Sequence, residues 1–131
     1  MKNFNQKPSE WPGVLEEIQQ KAGYFFHDLE KLKLALTHSS YAAESAIPFH
    51  PWNERLEFLG DAVLQIVTSE YLFTTYPDLP EGDLSPIRAS AVCEEALFRC
   101  AKAISLGDYL LLGKGEEHDG RNKKSILADA F

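Results

Sequence analysis

No apolar run in the 131 residues approaches the roughly 20 needed to cross a bilayer, which excludes an integral membrane protein. The opening stretch, MKNFNQKPSE, lacks the apolar segment of a secretory leader. Cysteine is scarce, with Cys93 and Cys100 the only two. Placed on one helix, their Cα atoms stand roughly 10 Å apart along its axis, and a disulfide spans less than about 7 Å. Two unpaired thiols and no leader are expected of a protein of the reducing cytoplasm. Basic residues are outnumbered, 13 against 20, for a net charge of -7. That argues against a protein that binds nucleic acid simply by being basic. It does not exclude an enzyme that brings its own cations to a carboxylate site. No stretch alternates with period two for long enough to suggest a strand, and there is no repeat, low-complexity tract or interdomain linker.

What is present is a globular balance, 44% apolar and 25% charged, in a length that suits one domain. The periodicity is helical nearly throughout, so the expected fold is all-α. Ser9 and Trp11-Pro12 open a first helix with Val14, Leu15 and Ile18 on its apolar face, and Gly23 stops it. Asp28 caps a second helix carrying Leu29, Leu32, Ala35 and Leu36. Thr37 to Tyr41 starts another short turn, and two prolines make Ile47 to Trp52 a loop. A long helix over Asn53 to Tyr76 is expected at the centre, capped by Asn53, with Leu56, Leu59, Val63, Ile66 and Val67 as its stripe. After the turn Pro77 to Gly82, Ser85-Pro86 opens a helix to Ser105 that packs on it and carries Cys93 and Cys100 in the core. A polar loop, Gly113 to Lys124, precedes a last helix opened by Ser125.

The informative stretch is NERLEFLGDAVL, residues 53–64. Glu54, Glu57 and Asp61 fall within about 60° of arc on a helix, so they share a face. The like charges Glu57 and Asp61 at i,i+4 cost a few tenths of a kcal/mol, and Gly60 between them costs about 1 kcal/mol relative to alanine. A hard divalent cation is one explanation, because carboxylate oxygens are its preferred ligands. Glycine there also lets a ligand or another backbone approach. On spacing alone a solvated acidic face is the more ordinary explanation.

The same twelve residues resemble the signature helix of the ribonuclease III family. LALTHSSY (34–41), EGDLS (81–85), LGKGEE (112–117) and SILADAF (125–131) resemble the family's other blocks, in the family's order. Five ordered blocks displace the ordinary explanation. The resemblance implies an all-α endonuclease on double-stranded RNA that works as a homodimer with Mg²⁺, Mn²⁺ being a possible substitute. It implies that Glu57, Asp61 and Asp129 belong to the metal site, that Glu54 and Glu81 line the same cleft, and that Phe58 packs into the partner subunit. It implies RNA processing, including that of ribosomal RNA. The residue types suit the chemistry: phosphodiester hydrolysis needs an activated water and stabilisation of the leaving oxygen, which paired cations supply. Whether Asp61 serves as ligand or base stays open. A non-catalytic relative that keeps the fold as an RNA-binding or structural module is the alternative, and the presence of all five acids favours the enzyme.

Among other candidates, His38 in Thr37-His38-Ser39-Ser40 is expected to hydrogen-bond at a helix end rather than to attack substrate. Gly113 to Gly120 does not match the phosphate-cradling loop G-x-x-x-x-G-K-[ST]. Lys114, Arg121, Lys123 and Lys124 either touch RNA phosphates or are solvated beside Glu116, Glu117 and Asp119. Residues 1–131 are read as one ribonuclease III catalytic domain lacking its C-terminal part, since the helix over Ile126 to Phe131 has no C-cap glycine. In the family this helix continues into a glutamate of the metal site, and an RNA-binding domain follows. The expectation is therefore weak Mg²⁺ and RNA binding by these residues alone, with duplex cleavage poor or absent.

Overall fold

The computed structural model describes residues 11–131. The first residues, and with them the expected role of Ser9, lie outside it. Seven α-helices are described: α1 (Trp11–Ala22), α2 (Leu29–Ala35), α3 (Ser39–Glu44), α4 (Glu54–Thr75), α5 (Glu81–Ala91), α6 (Glu94–Ala103) and α7 (Lys124–Ala130). Two 3₁₀ turns, Leu106–Tyr109 and Gly120–Asn122, lie between α6 and α7. No strand occurs among the described residues, so the all-α expectation holds; an isolated parallel bridge joins Thr37 to Leu111.

Local chemistry accounts for the first helices. Gly23 ends α1 at φ 71°, a left-handed conformation that glycine reaches without a Cβ penalty. Asp28 caps α2, its carboxylate accepting the Glu30 N–H at 3.0 Å. Leu15 and Ile18 of α1 and Leu32 and Leu36 at α2 are buried together against Ala101 of α6, Leu106, Tyr109, Leu110 and Leu112, and Ile126 and Leu127 of α7.

The core therefore lies away from α4, and this corrects the expectation of a central long helix. Leu72 is the buried residue of α4, while Leu59, Val63, Ile66 and Val67 are 50–68% exposed. α4 packs on α5 as a two-helix hairpin, with Arg88 Nη1 donating to Ser69 Oγ at 2.9 Å. The apolar stripe is real, but no part of the described chain covers it.

Two further corrections concern the segment after the turn. Its first helix opens at Glu81, not Pro86, because Pro80 supplies an extended N-cap and Glu81 and Asp83 suit the positive helix end. Pro86 sits inside α5, where it forfeits the ladder bond to the Gly82 carbonyl. The expected single helix also breaks at Val92–Cys93, where Cys93 is extended at φ -72°, ψ 161° and its thiol donates to the Ser90 carbonyl at 3.3 Å. Cys93 thus caps α6, the helix that carries Cys100, and both are exposed, not core; they are unpaired, as expected.

Candidate active site

α4 presents Glu54 and Glu57 in its first turn and Asp61 one turn on. The helix is anchored there by Asn53, though not as the expected cap. Its side chain makes no cap bond; Nδ2 donates to the Ala35 carbonyl at 3.2 Å and its N–H to the Thr37 carbonyl at 3.0 Å. Asn53 thereby fastens the acidic end of α4 to the end of α2. Asp129 arrives from the other side of the sequence. Burial of Ile126, Leu127 and Ala128 fixes α7 in the core and leaves Asp129 exposed.

These four acids share one field. Partial burial, then the charges of Asp129, Asp61 and Glu54, hold the Glu57 carboxyl above its ordinary value of 4.5. Among the described residues, no three His, Cys, Asp or Glu side chains close around a common point as a metal cage. The acids are neighbours in charge with exposed, rotatable side chains. Glu81 stands apart from them within one chain. It opens α5, which follows the far end of a 22-residue helix roughly 33 Å long, and its carboxylate accepts the Ser85 hydroxyl at 2.6 Å. Gly60, between Glu57 and Asp61, has open space where a Cβ would stand, so nothing among the described residues requires glycine there. Phe58, beside Glu57, is 83% exposed.

His38 does what its position suggested. It caps α3, with Nδ1 accepting the Ser40 N–H at 3.1 Å. The Ser40 hydroxyl lies 2.7 Å from the same nitrogen and accepts the Gly113 N–H at 2.9 Å, so it donates to Nδ1 and the neutral ring carries its proton on Nε2. Burial pushes His38 below its ordinary value, opposed by Glu116 and Asp129 and aided by Lys123. Sequence reasoning did not single out Glu44, whose two oxygens both accept the Lys114 N–H at 3.0 Å. No periodic signal marks such a contact, because its partners are joined only by the fold.

The loop cations divide. Arg121 is structural: Nη1 donates to the Leu110 carbonyl at 2.7 Å and the Gly107 carbonyl at 3.0 Å, and Nη2 reaches Glu117. Lys124 pairs with Glu95. Lys114 and Lys123 are exposed, and Lys123 lies close enough to act on His38.

Comparison with known proteins follows the same lines. The chain is 50% identical over 117 residues to Ribonuclease 3 of Listeria welshimeri, a match covering 88% of this chain and 51% of that protein. It thus spans about half the length of the curated relatives it matches. Two structures of the nuclease domain of ribonuclease III from Campylobacter jejuni superpose well. One has a TM-score of 0.79 at 44% identity, covering 88% of this chain and 78% of that one, and is described as flexible in a region involved in dimer formation. The other has a TM-score of 0.77 at 41% identity, covering 99% and 78%. A Ribonuclease-III-like family profile matches residues 28–131, the span that holds α2 through α7 and all five acids, and the chain accordingly belongs to the ribonuclease-III-like family.

Proposed function

We propose that this chain is the nuclease domain of an endoribonuclease that hydrolyses phosphodiester bonds of double-stranded RNA with Mg²⁺. The observation that carries the reading is the placement of Glu54, Glu57 and Asp61 on one face of α4 with Asp129 near enough for its charge, after partial burial, to help raise the Glu57 carboxyl. The residues fit a hard divalent cation, since every donor is a carboxylate oxygen and the mutual repulsion is what a cation relieves. Glu57, Asp61 and Asp129 hold it, Glu54 adds negative charge beside it, and Mn²⁺ substitutes for Mg²⁺. When bound, the cation supplies the activated water and stabilises charge on the leaving oxygen. Lys114 and Lys123 steer the phosphate backbone toward the acids. Glu81 belongs to the same cleft only where a second subunit brings it there.

The exposed face of α4 supports a homodimer. Phe58, Leu59, Val63, Ile66 and Val67 are each at least half exposed, and a large apolar face of this kind marks an interaction surface. The vacant side of Gly60 allows a second backbone or an RNA strand to come close. No described helix is long and apolar enough to cross a membrane, and the proposed setting is RNA processing, ribosomal RNA included, in the cytoplasm.

The test is incubation of a labelled RNA duplex with the chain, with Mg²⁺ and then with EDTA. Cleavage with Mg²⁺, however slow, that EDTA abolishes and Asp61→Asn slows by roughly 100-fold or more is expected. Duplex binding with no cleavage under any condition would favour the non-catalytic alternative.

A further inference from the structure

A cavity of about 390 Å³ lies between α3 and the loop that leads into α4, lined by Ser39, Ser40, Ala42, Phe49, His50 and Trp52. The loop is strained at one point. Phe49 has φ 57°, a left-handed conformation that a residue with a Cβ rarely adopts. Its ring packs against nothing among the described residues in return, being 101% exposed. The support is nonetheless stiff. Pro48 and Pro51 flank the pair Phe49-His50, His50 Nδ1 donates to the Pro51 carbonyl at 2.7 Å, and the Tyr41 ring meets the His50 ring edge-on at 5.9 Å. A strained backbone that presents a bare aromatic from a braced loop points to a contact outside the chain.

The location says which contact. Trp52 stands two residues before Glu54, in the first turn of α4, and Ser39 follows His38, which feels the charge of Asp129. The cavity therefore adjoins the acidic end of α4, within reach of an RNA strand held at the carboxylates. Paired bases present only their edges there, whereas an unpaired base presents a flat face. Aromatic rings accept any base by stacking. In the neutral His50 ring, donation from Nδ1 leaves Nε2 as an acceptor for a base amino group.

We propose that the Phe49–Trp52 loop stacks one unpaired nucleobase, a bulge or a strand end flanking the duplex, beside the acidic cleft. This rests on the reading of the cleft as an RNA site. It makes the chain a reader of a structural irregularity in the RNA rather than of a base sequence.

The test uses two hairpin RNAs that differ in one nucleotide, a 2-aminopurine left unpaired beside the stem in one and paired in the other. Each is titrated with the full 131-residue chain in Ca²⁺. The unpaired probe should be quenched and bind about tenfold more tightly than the paired one. Phe49→Gly should abolish both differences and leave affinity for the paired hairpin unchanged. Its thermal midpoint should not fall, because glycine takes φ 57° freely. Equal affinities with an unquenched probe would overturn the inference and leave the function standing, whereas binding of neither hairpin would overturn both. A Phe49→Gly variant that keeps the quenching but loses self-association would give the loop to a second copy of the chain, and would likewise overturn it.

Discussion

The hydroxyl of Ser40 accepts the N–H of Gly113 at 2.9 Å, joining residues 73 positions apart. The backbones come so close that a Cβ on Gly113 would stand 2.6 Å from the Ser40 carbonyl oxygen. With Glu44 on the Lys114 N–H, this contact fastens α3 to the loop that follows the core. Gly113→Ala should therefore lower stability by about 1–3 kcal/mol, as overpacking against backbone does. Urea unfolding of the two proteins checks it; an unchanged midpoint would mean that the two segments separate without cost.

The Glu57 carboxyl lies above its ordinary value of 4.5 because of partial burial and of Asp129, Asp61 and Glu54. Its folded value exceeds its unfolded one, so the protonated group favours the fold, and that favour is lost as pH rises from the unfolded value through the folded one. In metal-free buffer Glu57→Gln should raise the thermal midpoint at neutral pH and leave it unchanged well below 4.5. A gain of the same size at both pH values would rule out repulsion as its source.

Added Mg²⁺ should reverse that order. A cation held by Glu57, Asp61 and Asp129, as proposed above, would bind the folded chain and stabilise it by mass action. The midpoint of the native chain should climb with Mg²⁺ concentration, while those of Glu57→Gln and Asp61→Asn should climb less. Parallel curves for all three proteins would place the cation elsewhere.

Phe58 is 83% exposed, so its truncation removes little packing from a single chain. Phe58→Ala should keep the helical circular dichroism and the unfolding midpoint of the monomer. It should weaken self-association by about tenfold or more, the size expected for an aromatic anchor at an interface. Sedimentation over a concentration series gives the answer directly; an unaltered dimer would remove Phe58 from the interface.

Arg121 lies in the basic loop, yet its guanidinium holds the Gly107 and Leu110 carbonyls. Arg121→Ala should cost about 1.5–3 kcal/mol of stability, the range for bonds to a charged donor that leave carbonyls unpaired. Lys123→Ala should cost little stability but weaken duplex binding. Unfolding and RNA titration of both variants separate the roles, and the reverse pattern would assign Arg121 to RNA.

Local chemistry made much of this molecule legible before folding is considered. The Asp28 cap, the Gly23 stop and the His38 helix end were all readable from neighbours within a turn, because each bond closes over two to five residues. So was the acidic face of α4, since helical geometry alone brings Glu54, Glu57 and Asp61 to one side. Ser85-Pro86 misled because Pro80 and the acids after it made an earlier start, and Pro86 was tolerated inside the helix. Periodicity identified the apolar stripe of α4 but not what covers it: a repeat reports that a face is apolar, while burial depends on where distant segments pack. Only the tertiary structure decided that the core forms from α1, α2, α6 and α7 and leaves that stripe bare. It alone turned Asn53 from a cap into a tether to Ala35, took Arg121 for the backbone, and brought Asp129 within the field of Glu57. Those pairings span long loops, and their geometry is set by the packing of Leu110, Ile126 and Leu127 rather than by any spacing along the chain.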